Sequence, residues 1–297
     1  MNAALYLVTI LCWGTSWLVT KLHLGVVAPE VSLVYRFVIA AALTFAICLA
    51  LKKPMRFAAA HHGFMALQGL FLFSTNFLLI YLGTQYLTSG LVAIIFSLVV
   101  VFNIFGQTIL FRTPLEPRVL LGAVLGLSGL TVVFWPEIAA FDLAKEGTRG
   151  LLLCLAGTVS ASCGMLTSAW NQSRRALPVF QTNAYGMSYG AALTFLYCLA
   201  NGSRFNFDPS PIYIGSLLHL SLLASVTAFW TYLTLVGRIG AGRAGYVTAV
   251  FPLVALALST LVEGYTWSLG AGLGVALILL GNVAILSRPK LAAPAKV

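Results

Sequence analysis

The segment Ser89–Val99, SGLVAIIFSLV, aligns without a gap on Ala244–Val254, AGYVTAVFPLV, in the second half of this 297-residue chain. The matched positions are Gly90 with Gly245, Val92 with Val247, Phe96 with Phe251, Leu98 with Leu253 and Val99 with Val254. A second match follows in the same order, with GAVLG from Gly122 falling on GAGLG from Gly270. Two matches in the same order predict an internal repeat, with one copy in each half of the chain.

The composition excludes a soluble protein. Hydrophobic residues make up 60% of the chain and charged residues 8%, whereas a soluble domain carries about 25% charged residues. So few charges cannot cover a water-facing surface, so we expect an integral membrane protein. The cysteines all lie in apolar runs and are predicted to be small buried hydrophobic residues, with no disulfide and no metal site; they are Cys12, Cys48, Cys154, Cys163 and Cys198.

Ten apolar runs are each long enough to cross a hydrocarbon core of about 30 Å. They cover residues 3–22, 30–51, 61–82, 88–110, 116–135, 149–170, 179–199, 211–236, 242–262 and 267–286. Helices are expected because their backbone hydrogen bonds are satisfied within the segment. Since each half has five spans, an odd number, the second half must enter the membrane inverted. The sequence therefore predicts an all-α protein of ten transmembrane helices in two inverted five-helix repeats, with residues 1–136 and 149–288 as the repeats, 137–148 as the linker and 289–297 as a cytoplasmic tail.

The positive charges predict the orientation. Of the seventeen Lys and Arg residues, twelve fall in the links on the side of the two termini: Lys52, Lys53, Arg56, Arg112, Arg118, Arg174, Arg175, Arg238, Arg243, Arg288, Lys290 and Lys296. Cytoplasmic loops carry the excess of Lys and Arg, so both termini are expected in the cytoplasm. The net charge of +10 thus indicates topology, and no nucleic-acid partner is predicted.

The sequence resembles the drug/metabolite transporter superfamily, and within it the EamA-type ten-helix exporters. The residues that carry the resemblance are WGTSW (Trp13–Trp17), Tyr35-Arg36-Phe37, the two aligned segments, Glu263 and the glycine-spaced fifth and tenth helices. The resemblance looks closest to the aromatic amino-acid exporters of Gram-negative inner membranes. It implies an alternating-access exporter in the cell inner membrane, with a small-molecule substrate and the lipid bilayer as partners. The second half departs from the pattern, since Cys163-Gly164 stands where a second Trp-Gly is expected.

The two tryptophans of WGTSW lie one helical turn apart on one face, about 15 to 21 Å along the first helix. Two interpretations remain open for Trp13 and Trp17. They either pack between helices or line a central cavity, where their faces stack on aromatic rings and bind cations.

Further polar and aromatic residues fall at comparable depths and are expected to add to the lining. An amide in hydrocarbon is costly unless it faces protein or water. The substrate-binding residues predicted beside Trp13 and Trp17 are Thr75, Asn76, Tyr81, Ser97, Trp230, Tyr232 and Tyr246, with Asn103, Thr227 and Thr231 nearby. Structural hydrogen bonding between helices is the alternative for any one of them.

Arg36 and Pro252 are predicted to act in gating or in contact with a substrate carboxylate. Arg36 is the one cation that lies more than two residues inside a predicted span, about 9 Å from the helix start. It either snorkels to the interface or pairs structurally, or it binds a carboxylate. Pro252 removes a backbone hydrogen bond in the ninth helix and tends to kink it. His219, inside the eighth run, is interpreted as a packing residue rather than a proton relay.

No enzymatic activity and no cofactor are predicted. The chain lacks a phosphate-binding loop of the Walker type. GLSG at Gly126–Gly129 matches a serine-nucleophile motif of intramembrane proteases, but the sequence offers no suitable histidine to act as the base for Ser128. GxxxG at Gly122–Gly126 and Gly270–Gly274 predicts close helix contact, within the protomer or between protomers. An exporter of amino acids with aromatic or other apolar side chains is expected, with another metabolite (a nucleoside or a cationic drug) or a channel as alternatives.

Overall fold

The computed structural model describes residues 2–112, 117–133, 135, 145–239 and 246–286. Within these ranges all regular structure is helical, which confirms the predicted all-α fold. The helices are α1 (Asn2–His23), α2 (Pro29–Ala50), α3 (Ala59–Thr84), α4 (Ser89–Phe111), α5 (Pro117–Val133), α6 (Glu146–Arg175), α7 (Val179–Ala200), α8 (Pro211–Leu218, His219–Thr227 and Ala228–Ile239 in succession), α9 (Tyr246–Val262) and α10 (Leu269–Leu286). Most of the predicted linker and the tail at 289–297 lie outside the described residues.

Six of these helices are long and apolar enough to cross a membrane: α1, α2, α3, α4, α6 and the part of α8 from Pro211 to Tyr232. Shorter apolar stretches occur in α5, α9 and α10. The largest difference from the predicted spans is α6, which has 30 residues and extends from Glu146 to Arg175. An acidic first turn and a basic last turn complement the helix dipole, so α6 continues beyond its apolar core at both ends.

The two halves pack against each other in a reciprocal pattern. α2 packs on α7, α4 on α9 and α5 on α10, so these helices meet their own counterparts. α1 packs on α8 and α9, while its counterpart α6 packs on α3 and α4. Repeats related by a pseudo-twofold axis produce this arrangement.

A π-helical segment occurs in the third helix of each half, at Gly69–Thr75 in α3 and His219–Thr227 in α8. π-helical turns are rare and are frequent at functional sites. Each segment accepts a hydrogen bond from the first helix of the other half. Trp13 Nε1 of α1 donates to the Ala224 carbonyl at 3.2 Å, and Ser160 Oγ of α6 donates to the Phe71 carbonyl at 2.9 Å. The π segments therefore mark where the two halves cross.

The loops gather at two ends of the bundle. We call the upper end the one that holds residues 24–28, 85–88, 201–210 and 263–268, and the lower end the one that holds 51–58 and 176–178. At the upper end, Asn206 Nδ2 donates to the Val26 carbonyl at 3.2 Å. At the lower end, Tyr185 donates its hydroxyl hydrogen to the Met55 carbonyl at 2.6 Å. A loop of the first half thus contacts the second half at each end.

α4 is interrupted at Leu98, between Ser89–Ser97 and Val99–Phe111. The break directly follows Ser97, whose hydroxyl donates to the Ile94 carbonyl at 2.7 Å. The upper segment packs on α9, α6 and α1, whereas the lower segment packs on α6 and α5. Both segments of α4 therefore pack on α6, and the upper segment is the one that packs on α9.

Exposure along α4 follows the same division. Most of the upper segment is buried, with only Leu91 and Phe96 partly exposed. In the lower segment Phe105, Ile109 and Leu110 are exposed. The counterpart α9 stays helical through Pro252, so the interruption lies in the helix without the proline.

α5 and α10 pack backbone to backbone at glycines. A Cβ atom built on Gly129 would lie 2.5 Å from the Gly274 carbonyl oxygen, and one built on Gly281 would lie 2.6 Å from the Gly122 carbonyl oxygen. No side chain larger than hydrogen fits such distances. The glycine motifs therefore join two helices of one chain, while Gly270 has no contact this close.

Candidate substrate site

Trp17 lies between the two repeats. Its indole is 5.1 Å from the Phe96 ring and 5.9 Å from the Phe251 ring, which it meets nearly parallel at 20°. Phe96 and Phe251 are the aligned residues of the repeated segment, so the ring contacts equivalent positions of α4 and α9. Trp17 Nε1 is buried and has no hydrogen-bond partner in the described part of the chain. The side chain thus packs between helices and also presents an unused donor.

Trp13 faces α8. Its ring lies 5.6 Å from Phe229 and 5.1 Å from Tyr232, and its Nε1 is bound to the Ala224 carbonyl. Gly14 permits the approach of α9 on the neighbouring face, since a Cβ there would lie 2.7 Å from Val254 Cβ. The small residue within WGTSW therefore allows close helix contact beside the two large rings.

A chain of aromatic contacts leads from Trp13 across the bundle to α2. Beyond Phe229, successive ring centroids are 5.9 Å apart to Phe73, 5.5 Å to Phe37 and 4.9 Å to Phe77. The Arg36 Cζ atom lies 4.5 Å from the Phe77 centroid. Edge-to-face contacts at these distances are favourable. They place an apolar path between the tryptophans and the guanidinium.

Arg36 is only 3% exposed, so it does not snorkel. Its Nε and Nη2 donate to Ser225 Oγ at 3.2 Å each, and Nη1 donates to the Tyr81 hydroxyl at 3.3 Å. Within the described ranges its hydrogen bonds all go to hydroxyl groups and none goes to a carboxylate. A buried charge is costly unless it is paired. The guanidinium is therefore equipped to receive an anion.

Four of the remaining predicted residues lie in α3 and α8. Tyr81 and Asn76 are buried, and Asn76 Nδ2 donates to the Leu72 carbonyl at 3.2 Å while its Oδ1 has no partner among the described residues. Thr75 ends the π segment of α3, and Thr231 shares a 2.8 Å hydrogen bond with Thr9. The amide oxygen of Asn76 thus remains an available acceptor near the π segment.

Trp230 does not join this group. Its side chain is 58% exposed, on a stripe with Leu223 one heptad earlier, whereas Tyr232 faces Trp13. The expectation that Trp230 lines the site is not met, because α8 turns this position away from the other helices. The side chain of Tyr246 lies outside the described residues.

Two important neighbours were missed in the sequence. Ser225, in the π segment of α8, holds the Arg36 guanidinium. His23 is 1% exposed and stacks on Tyr213 with ring centroids 4.4 Å apart. His23 directly follows the last apolar residue of the first run, so hydropathy placed it in a loop. His219 accepts or donates a 3.2 Å hydrogen bond with Thr15 of WGTSW.

Glu263 fastens the upper ends of α4 and α9. Its carboxylate accepts hydrogen bonds from the Ser89 backbone N–H at 2.9 and 3.1 Å and from the Ser89 hydroxyl. Helix N-termini favour such an anion. Nearby, Lys21 Nζ donates to the carbonyls of Thr84 and Leu87 at 2.7 and 2.8 Å. The Glu263 bonds join the two halves at the upper end, while the Lys21 bonds tie α1 to the end of α3 within the first half.

A cluster of amides lies at the lower end, where α3, α6 and α7 meet. Gln68 Nε2 donates to Asn183 Oδ1 at 2.8 Å, and Asn171 Nδ2 donates to Gln68 Oε1 at 3.2 Å. All three side chains are buried. They form a neutral connection between the halves.

The model of the EamA-like transporter family matches residues 2–135 and again 148–287. An "Uncharacterized transporter in trpA 3'region" of Buchnera aphidicola subsp. Schlechtendalia chinensis is 24% identical over 88% of this chain and 84% of its own. Protein PagO of Salmonella typhimurium is also 24% identical, over 93% and 90% of the two chains. A solved crystal structure of a protein superposes with a TM-score of 0.68 at 20% identity over 95% of both chains, which shows a shared fold. The chain is therefore a multi-pass membrane protein and a transporter rather than an enzyme, and it belongs to the EamA-like transporter family.

Proposed function

We propose that the protein exports amino acids with aromatic or other apolar side chains across the cell inner membrane by alternating access. The observation that carries the proposal is Arg36, a buried guanidinium that is bonded to hydroxyl groups and flanked by aromatic rings. Arginine is suited to bind a carboxylate with two parallel hydrogen bonds. An amino acid with a ring would satisfy the charge and stack on the surrounding rings.

Other groups fit the remaining parts of such a substrate. The unpartnered Asn76 Oδ1 is an acceptor for an ammonium group, and Asn76 directly precedes Phe77, whose ring contacts Arg36. Trp13 and Trp17 offer aromatic surface, and Trp17 Nε1 offers a donor. The positive charge of Arg36 disfavours a cationic drug, while a nucleoside lacks the carboxylate that would pair with it.

The orientation belongs to the same proposal. The excess of Lys and Arg at the lower end supports a cytoplasmic location for that end and for both termini. The described structure, with α4 and α9 fastened at Glu263, then corresponds to a state closed to the outside. Reporter fusions after Lys53, Arg112 and Arg175 should be cytoplasmic, and a fusion within 137–148 should be periplasmic. A periplasmic C-terminus would contradict this orientation.

Alternating access requires the fastened upper ends of α4 and α9 to separate. The break in α4 beside Ser97 and the proline at Pro252 are the places where we expect these helices to bend. Pro252→Ala should then alter transport more than folding. Unchanged flux at unchanged expression would assign Pro252 a packing role.

The test is counterflow of a panel of amino acids into proteoliposomes that contain the purified protein. Phenylalanine, tyrosine and leucine should exchange, and the exchange should saturate and be stimulated from the opposite side. Phenethylamine and phenylalanine methyl ester, which keep the ring but lack the carboxylate, should exchange poorly. Equal flux of the amine and the amino acid would contradict the role of Arg36, and flux without saturation would indicate a channel.

A further inference from the structure

His23 is a buried histidine whose ring nitrogens are both unused. It is 1% exposed, and neither Nδ1 nor Nε2 has a hydrogen-bond partner in the ranges that the structure describes. A neutral imidazole carries one donor and one acceptor. Buried polar groups without partners are uncommon and require an explanation. The candidate-site contacts described above do not use this ring.

The ring of His23 fills the joint between the halves at the upper end. It stacks on Tyr213 of α8 at 4.4 Å and 15°, and it meets Tyr81 of α3 edge-on at 6.3 Å. The Tyr213 hydroxyl is bonded to Ser32 of α2 at 2.9 Å. Opening the upper end between α1 and α8 must therefore break this stack and admit water to the imidazole.

Burial and the charge of Arg36 disfavour a protonated His23 in the closed arrangement, whereas carboxylates in this region act in the opposite sense. Arg36 of α2 binds the hydroxyl of Tyr81, whose ring meets His23 edge-on, and His219 of α8 is hydrogen-bonded to Thr15 of α1. The nearby acids are already held by serines: Glu30 of α2 by Ser203, and Asp208 of the 201–210 loop by Ser210. On α1 itself, Lys21 is bound to two carbonyls.

We infer that His23 is a proton-binding site that controls the opening of the upper end. A second positive charge in this dry site beside Arg36 is disfavoured, so the closed state holds a neutral ring. Once the upper end opens, water reaches the ring and an imidazole nitrogen takes a proton from it. Acid on that side therefore stabilises the open state, because a ligand shifts an equilibrium towards the state that binds it better.

The proton binds and leaves on the same side, so it gates transport without being carried across. This inference rests on the proposed alternating access but not on the identity of the substrate. It predicts that a pH gradient changes the rate of exchange and does not drive accumulation. Histidine is suited to such a role because its charge changes between about pH 5 and about pH 8.

The native Cys198 can report the opening. It is fully buried and packs in the same hydrophobic cluster as Tyr213, at the upper end of the bundle. In a variant that keeps Cys198 and replaces the other four cysteines by alanine, a membrane-impermeant thiol reagent is applied from the upper side between about pH 8 and about pH 5.5. The labelling rate is divided at each pH by that of the same protein with His23→Phe, which keeps a ring in the stack but cannot titrate. This ratio removes the pH dependence of the reagent.

The ratio should rise several-fold towards acid pH. The rise should persist in His219→Gln and should be absent in His23→Gln. If His23→Phe does not fold, His23→Gln takes its place as the reference. A flat ratio, or loss of the rise in His219→Gln alone, would overturn the assignment to His23. A flat ratio with normal amino-acid counterflow rejects only this gate. A pH-dependent ratio without amino-acid counterflow rejects only the proposed substrate.

Discussion

At the lower end, where α3, α6 and α7 meet, the buried polar residues are amides that hydrogen-bond to one another. At the upper end, where their counterparts α8, α1 and α2 meet, they are Arg36, His23 and the hydroxyl groups around them. The packing is reciprocal, but the chemistry is not. Amides do not titrate, and they carry no net charge even where Asn171 Oδ1 has no partner. Among the residues that the structure describes, the upper cluster instead holds a buried cation without a carboxylate and a histidine without a hydrogen-bond partner.

This difference separates two roles within one architecture. A hydrogen-bonded buried network rigidifies a joint, so the lower cluster is suited to hold the halves together at any pH. The upper cluster contains groups whose charges are unbalanced, and a substrate or a proton can change that balance. The two halves thus share the same helix packing, while the buried polar residues differ between the two ends.

The largest effect is expected when the positive charge of Arg36 is removed from the upper cluster. Arg36→Gln should lower amino-acid counterflow per folded protein by about thirty-fold or more, because losing one partner of a desolvated charge pair costs about 2–5 kcal/mol. Arg36→Lys should lose less, since it keeps the charge but not the paired geometry. Arg174→Gln, at an exposed lower-end position, is the matched control and should transport normally. Normal transport by Arg36→Gln would remove the carboxylate site from the upper cluster.

The next effect concerns the aromatic path to that cluster. Trp13→Ala and Trp17→Ala should weaken transport of aromatic substrates about twofold to about thirty-fold, from about 0.5–2 kcal/mol of lost stacking and cation–π energy. Small substrates should be less affected. Trp230→Ala, at an exposed tryptophan of similar depth, should change neither. The measurement is the ratio of aromatic to small-substrate counterflow, and an unchanged ratio in both variants would assign the tryptophans to packing alone.

A smaller effect is expected in the lower cluster, on stability alone. Gln68→Leu removes its hydrogen bonds to Asn183 and Asn171, and interhelical bonds in membranes contribute about 0.6–2 kcal/mol. Thermal unfolding in detergent should therefore shift to lower temperature while counterflow per folded protein is kept. Gln172→Leu, on an exposed position of α6, should leave the unfolding temperature unchanged. A change in substrate preference in Gln68→Leu would show that the two ends do not divide the roles in this way.

The smallest effect is expected at the upper fastening. Glu263→Gln keeps an acceptor for Ser89 but loses the charge at the α4 N-terminus, which contributes about 0.3–1 kcal/mol. Labelling of Cys198 from the upper side should rise about two- to fivefold at constant pH. Glu146→Gln, at the exposed N-terminus of α6, should leave the labelling unchanged. A fall in labelling would mean that Glu263 does not hold the upper end closed.

The sequence anticipated parts of the candidate site and missed others for identifiable reasons. The alignment of Phe96 with Phe251 predicted equivalent positions, and both rings contact Trp17. Trp230 was placed at the correct depth but on the wrong side of α8, because hydropathy in a uniformly apolar helix does not report rotation. His23 was passed over because it follows the last apolar residue of its run, although the helix includes it.

The sequence by itself determined that the chain is helical, lies in a membrane and repeats, because hydropathy and repeated segments act along one dimension. Only the tertiary structure decided which faces of those helices meet. In the folded chain Arg36 faces inward and hydrogen-bonds to Ser225 and Tyr81, Trp230 faces outward, and the His23 ring stacks on Tyr213. These choices depend on packing against the other half, whose surface lies more than a hundred residues away in sequence. The rotation of a helix about its axis is set by its neighbours, so no pattern within one run could have fixed it.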